Sequence, residues 1–220
     1  MKDVVIFGTE GLASVAWYYL VEDSPYRVVG FTVDRAFQEQ ETHHGLPVVP
    51  FEDMPGRYPP TAARLLIPLG YRDINGLRRA RYEKAKALGY RFVQYVSSRA
   101  NAWPDLHVGE NVIIGEHATM QPFVQVGNNV LVRSSAHLAH HCEVADHAFI
   151  AAGTTLGGNV TVGEQCFVGL GAVVRDGIAL AERSMIGAGA VVVADTEPGE
   201  VYVGNPARKL GRTALEATRR

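Results

Sequence analysis

The chain has 220 residues, 47% of them hydrophobic and 20% charged, with a formal net charge of −2. Without a dense run of Lys and Arg it lacks the concentrated positive charge that nucleic acid or a membrane surface attracts, and no apolar stretch nears the roughly eighteen residues of a membrane span. The absence of a basic, apolar leader leads us to expect a soluble cytoplasmic protein whose two cysteines, Cys142 and Cys166, are buried and reduced.

Asp3-Val4-Val5-Ile6-Phe7-Gly8 is a continuous apolar run closed by glycine, which predicts a buried strand, and residues 13–20 then carry a helical apolar face. Further strands are predicted at 26–33, 65–69 and 90–96, with a charged amphipathic helix at 75–88. Alternation of this kind predicts a parallel α/β sheet. The turn Gly8-Thr9-Glu10-Gly11 reads either as a phosphate cradle at a helix N-terminus or as a plain tight turn, and Glu10 opposes a phosphate unless it points outward. Asp34 stands about where a dinucleotide fold places its ribose-binding acid, but the full Gly-x-Gly-x-x-Gly spacing is missing, which excludes a dinucleotide dehydrogenase.

From residue 108 to residue 192 every sixth residue is apolar, through Ile114, Met120, Val126, Val132, Leu138, Val144 and Ile150 and on to Ile186. A six-residue period matches neither a helix nor a simple alternating strand; it fits short strands joined by corners and stacked as a solenoid. The position four residues on is small or branched, as at Val112, Ala118, Ala136 and Cys142, so two inward rows run along the coil. The abrupt onset of the rule near residue 106 predicts two domains, 1–100 and 101–220.

Six of the eight histidines lie between residues 107 and 147, and the densest segment is His137-Leu138-Ala139-His140-His141-Cys142. Leu138 and Cys142 take the inward positions of that hexad, which leaves His140 and His141 on a corner, within reach of a groove. Imidazole titrates near neutrality and suits a general base. A solvated corner histidine is the plain alternative, and His137, outside the corner phase, is as readily a packed residue.

Unbroken hexads opening on Leu, Ile or Val resemble the left-handed parallel β-helix acyltransferases, in which three hexads make one turn. The resemblance implies the left hand, against the usual right-handed crossover. Val5-Ile6-Phe7-Gly8, Gly30-Phe31-Thr32-Val33-Asp34, Gly45-Leu46-Pro47-Val48, Ile67-Pro68-Leu69-Gly70 and Tyr95-Val96-Ser97-Ser98 also resemble the bacterial acetyltransferases that modify nucleotide-linked amino sugars or sialic acid. What this implies is a small Rossmann-like parallel sheet that holds a sugar nucleotide, followed by the β-helix, with Gly8, Thr9, Glu10, Gly11, Thr32, Asp34 and Arg133 as substrate contacts. His140-His141-Cys142 aligns with the family's His-Glu/Asp-Cys motif, and Gly158-Asn159, one turn later, with its Gly-Asn, so the resemblance implies His140 as base, His141 as a catalytic residue in place of the carboxylate that orients it, and the Gly158 amide as oxyanion donor. Acetyl-CoA is the implied co-substrate, held near Gly158, Asn159, Gly204, Pro206, Arg208 and Lys209, the last four in a segment resembling the family's Gly-x-Pro-Ala-Arg/Lys closure; a homotrimer is the implied assembly. Beyond Lys209, Arg212, Arg219 and Arg220 read as a solvated tail.

The chain departs from that pattern at Gly11-Leu12, where the family has Gly-His; at Val33-Asp34, where it has an acidic pair; at Arg133, often Asn; and at His141, where it has a carboxylate. Another branch of these coils, the γ-type carbonic anhydrases, binds zinc through three histidines, but the spacing of residues 107, 117, 137, 140, 141 and 147 does not reproduce theirs, and no metal is expected. The expected function is direct acetyl transfer from acetyl-CoA to the amine of a nucleotide-linked amino sugar. O-acetylation of a sugar hydroxyl, or a non-catalytic sugar-nucleotide scaffold, stays open as an alternative.

Overall fold

The computed structural model describes residues 2–219. Its first half is a five-stranded sheet built from β1 (Lys2–Phe7), β2 (Tyr26–Val33), β3 (Thr42–His43), β4 (Leu46–Pro50) and β5 (Ala63–Leu66), in the order β3-β4-β2-β1-β5. All neighbours pair in parallel except β3 and β4. Val4, Val5, Ile6 and Phe7 are all buried because helices or loops cover both faces of the central strand. Helix α1 (Gly11–Glu22) buries Ala13, Ala16 and Leu20, one helical stripe, against the sheet. Helix α3 (Gly76–Ala87) follows the short α2 (Met54–Arg57) and buries Arg78, Tyr82 and Ala85.

Two sequence expectations change here. The hairpin of β3 and β4 was not predicted, and its turn rests on Gly45 at φ 73°. The predicted strand at 90–96 divides: Phe92 bridges to Leu65 in the α/β half, whereas Tyr95–Val96 pairs with Ile113–Ile114 of the coil. The apolar run serves two different cores, and periodicity cannot show that.

The coil consists of two-residue strands, each paired in parallel with the strand eighteen residues on, as in Ile113↔Leu131, Leu131↔Phe149 and Phe149↔Phe167. Three faces result. The first carries Ile113, Leu131, Phe149 and Phe167; the second Thr119, His137 and Thr155; the third Gln125, Glu143 and Thr161. The inward apolar row forms one buried cluster from Val112 to Val192. Truncating one of its fully buried members, such as Leu138, to Ala costs about 2–5 kcal/mol.

The first face docks on the α/β half. Ile113, Leu131, Phe149 and Phe167 share a buried cluster with β1, β2 and α1, and Tyr71 sets its ring 4.2 Å from that of Phe167. Arg78, with no exposed surface, fastens the junction. It donates to the carbonyls of Asn129, His147 and Ala148 on the coil (3.3, 2.7 and 3.1 Å), to those of Leu69 and Gly70 after β5 (3.1 and 3.3 Å), and to Asn75 Oδ1 (2.9 Å). Burial away from any carboxylate pulls its pKa down to about 9, so it stays a cation at neutral pH and depends on those carbonyls for solvation.

Candidate active site

The corner between His137–Leu138 and Glu143–Val144 joins the second face to the third. Buried Leu138 and Cys142 pin its ends, so His140 and His141 are turned outward and both are exposed. His141 takes a left-handed backbone, φ 59°, as corner residues do throughout the coil. Neighbouring coils bracket the turn: the His140 N–H donates to Gln121 Oε1 at 2.9 Å, the His141 N–H to the Pro122 carbonyl at 3.2 Å, and the Asn159 N–H to the His140 carbonyl at 3.0 Å.

The two rings meet at Nδ1, 3.2 Å apart, and the His141 ring lies against Phe123, centroids 4.6 Å apart. His140 is seated over the backbone of Gly158. A Cβ there would stand 2.5 Å from His140 Cε1 and 2.7 Å from Nε2, so only glycine admits the imidazole in this place. The structure thus brings together His140, His141, Gly158 and the exposed Asn159. The Gly158 N–H, implied as an oxyanion donor, donates to Asp176 Oδ1 at 2.9 Å. The sequence carried a signal for this partner, because Asp176 lies eighteen residues beyond Gly158. Phe123, likewise eighteen before His141, was missed in the same way.

The remaining coil candidates are structural. Cys142 donates to the Gly157 carbonyl at 3.1 Å, and burial pushes its thiol pKa up to about 11, which leaves no thiolate at neutral pH. His147 is buried, bonds Asn129 through Nδ1 at 2.8 Å, and burial lowers its pKa to about 4. His137 is half-buried in its strand. Among the described residues no group of three His, Cys, Asp or Glu is arranged to hold a metal ion. Arg133 lies away from His140, near Glu116, past the end of a first-face strand, at the corner joining the first face to the second.

In the α/β half, Gly8 is buried at φ 106° and donates to the Thr32 carbonyl at 2.7 Å, Thr9 is half-buried and Glu10 is exposed. No acidic residue occupies the first turn of α1, and its N-cap residue, the exposed Glu10, makes no side-chain bond to the helix, which leaves the first N–H groups open. Thr32 is corrected as a ligand contact: its side chain has no exposed surface, and its Oγ1 is without a partner inside the sheet. Asp34 gives Oδ2 to Arg81 of α3, which reaches it through Nε at 2.8 Å and Nη2 at 2.7 Å. That pairing spans 47 positions and left no mark in the sequence.

At the C-terminal end Gly204 has φ 93° and Asn205-Pro206 is a cis peptide. Arg208 is exposed and donates to the Ala207 carbonyl. Lys209 is corrected as a free cation for coenzyme phosphates, since its Nζ is held by Glu197 at 2.8 Å and Glu200 at 3.0 Å, and these bonds raise its pKa. Arg212 and Arg219 are exposed, and Arg220 lies outside the described residues.

Residues 123–158 match the family described as bacterial transferase hexapeptide (six repeats), and residues 159–194 the hexapeptide repeat of succinyl-transferase. The fold superimposes on the acetyltransferase domain of PglB from Neisseria gonorrhoeae FA1090 in complex with acetyl coenzyme A, with TM-score 0.84 and 26% identity over 95% of this chain and 99% of that one. The chain is a hexapeptide-repeat acyltransferase of the left-handed β-helix superfamily. PerB from Caulobacter crescentus, solved with CoA and GDP-perosamine, is similar to this acyltransferase at TM-score 0.83 and 25% identity, over 96% of this chain and 98% of its own. WeeI from Acinetobacter baumannii AYE shares the fold at TM-score 0.65 and 22% identity, over 96% of this chain and all of that one. No curated protein matches by sequence.

Proposed function

We propose that this acyltransferase moves the acetyl group of acetyl-CoA onto the amine of a nucleotide-linked amino sugar, in the building of a surface polysaccharide or other glycan. The observation that carries the reading is the exposed imidazole of His140 seated over the bare backbone of Gly158, in a chain similar over nearly its whole length to enzymes solved with acetyl-CoA and with CoA plus a nucleotide sugar.

The chemistry is direct. The neutral amine attacks the thioester carbonyl, a C–N bond forms and the C–S bond breaks. The amine proton passes to His140 Nε2 and from there to the departing CoA thiolate, which leaves the enzyme unchanged. Buried, weakly acidic Cys142 gives no reason for an acyl-enzyme. Gly158 acts through its missing side chain, while Asn159, Gly204, Pro206 and Arg208 offer exposed positions for the coenzyme, Arg208 toward its phosphates.

Residues 1–100 would hold the sugar nucleotide, its phosphates at the Gly8–Gly11 turn and α1, with Asp34 Oδ1 left for a ribose hydroxyl. This half docks on the first face, whereas His140 projects from the opposite corner, between the second and third faces. A base from one copy therefore serves the nucleotide held by another, which supports a homotrimer; a cytoplasmic setting supplies acetyl-CoA. Thiol release from acetyl-CoA with a panel of amino sugar nucleotides tests the reading. Acetylation of at least one is expected, and tight binding of such a sugar with no turnover of any acceptor overturns it.

A further inference from the structure

Between His140 and His141 the bonding nitrogens are both Nδ1, 3.2 Å apart, and this restricts where protons can sit. A neutral imidazole carries one N–H and one lone pair, so the contact needs one shared proton. If His141 supplies it, the proton of His140 must be on Nε2, and that ring is no base. If His140 supplies it, Nε2 carries a lone pair on an exposed ring that lies over the backbone of Gly158, where a Cβ would collide with it.

Several polar groups around this corner are engaged elsewhere. Asp176 accepts from the Gly158 N–H, Asp105 from the Phe123 N–H, and Gln121 from the His140 N–H, while Cys142 turns inward to Gly157. Among the described residues no carboxylate bonds either ring. Phe123 lies along the face of the His141 ring and limits its swing.

We infer that His140 and His141 form a two-imidazole dyad in which His141, a neutral positioning residue, accepts the Nδ1–H of His140 and so keeps the Nε2 lone pair facing the acceptor amine. This rests on the acetyl-transfer reading above and specifies its base. When Nε2 takes the amine proton, His140 becomes an imidazolium and the Nδ1–H···Nδ1 bond becomes charge-assisted. His141 stays neutral throughout, and CoA leaves with the proton.

Substitutions at 141 distinguish this from a bystander histidine. His141→Ala should lower kcat about 10- to 100-fold, the lower end of a general-base contribution, with KM for both substrates within about twofold. His141→Asn, whose amide oxygen can accept the same bond and whose backbone suits the left-handed corner, should restore most of the loss. His141→Glu places a negative charge on the bond and should move the acid limb of kcat upward by about one pH unit or more. Nitrogen-15 NMR of the histidine rings in the unmodified enzyme reads the tautomer without turnover, and His140 protonated on Nδ1 is expected. His140 found protonated on Nε2, or an unchanged kcat and acid limb in His141→Ala, overturns the dyad. An unmodified enzyme that acetylates no amino sugar, with the expected tautomer present, overturns the transfer reading instead.

Discussion

The two halves of this chain store their information differently. In the coil a residue's place follows from its position within eighteen: Leu138 points in, His140 and His141 sit on a corner, and Gly158 lies directly beneath His140. In the α/β half nothing repeats, and each side chain's surroundings depend on which distant element packs there. The proposed base and coenzyme contacts belong to the half whose geometry is periodic, and the proposed sugar-nucleotide contacts to the half whose geometry is not. Arg78 joins them, with carbonyls of both halves around one guanidinium.

Four perturbations break or sharpen that contrast. His140→Ala should lower kcat by about 10²–10⁴-fold while thermal unfolding hardly moves, because the ring is exposed; a drop in stability to match the lost activity would show the corner to be structural. Arg78→Met should act in the opposite sense. It leaves carbonyls on both sides of the junction without a donor, at a cost of ~3 kcal/mol measurable by urea unfolding, and Arg78→Lys should recover little because an ammonium cannot span that fork.

Gly158→Ala comes next. The backbone there has no positive φ, so the fold accepts alanine, but the added methyl displaces the imidazole and kcat should fall on the order of 100-fold. Full activity with the His140 ring unmoved in a crystal structure would remove Gly158 from the site. The last effect concerns pH. Burial depresses the pKa of His147 in the folded state to about 4, below the ordinary histidine value, so the unfolded chain binds the extra proton first. Stability should therefore be full above the unfolded pKa and fall as the pH drops toward 4, by ~3 kcal/mol when complete. His147→Gln should flatten that slope in denaturant titrations at neutral and acid pH.

Where a sequence expectation failed, tertiary packing explains it. Thr32 was implied as a substrate contact by the resemblance of residues 30–34, yet its side chain has no exposed surface and its hydroxyl is enclosed in the sheet. Lys209 stood in a basic segment, but the antiparallel return of 208–213 on 200–203 brings Glu200 to it, and Glu197 closes over the same ammonium. The Gly158 amide, implied by the resemblance as an oxyanion donor, has a partner that the coil spacing points to, Asp176, one turn further on.

The sequence by itself determined the coil and the corner that presents two imidazoles, because a stacked solenoid makes only nearest-neighbour contacts and its inward rows must be apolar; the eighteen-residue turn was implied by the family resemblance. The tertiary structure alone decided the order of the α/β strands, the split of residues 90–96 between two cores, the Asp34–Arg81 pair and the seat of Arg78. Those contacts join residues tens of positions apart with no period relating them, so no local pattern marks them.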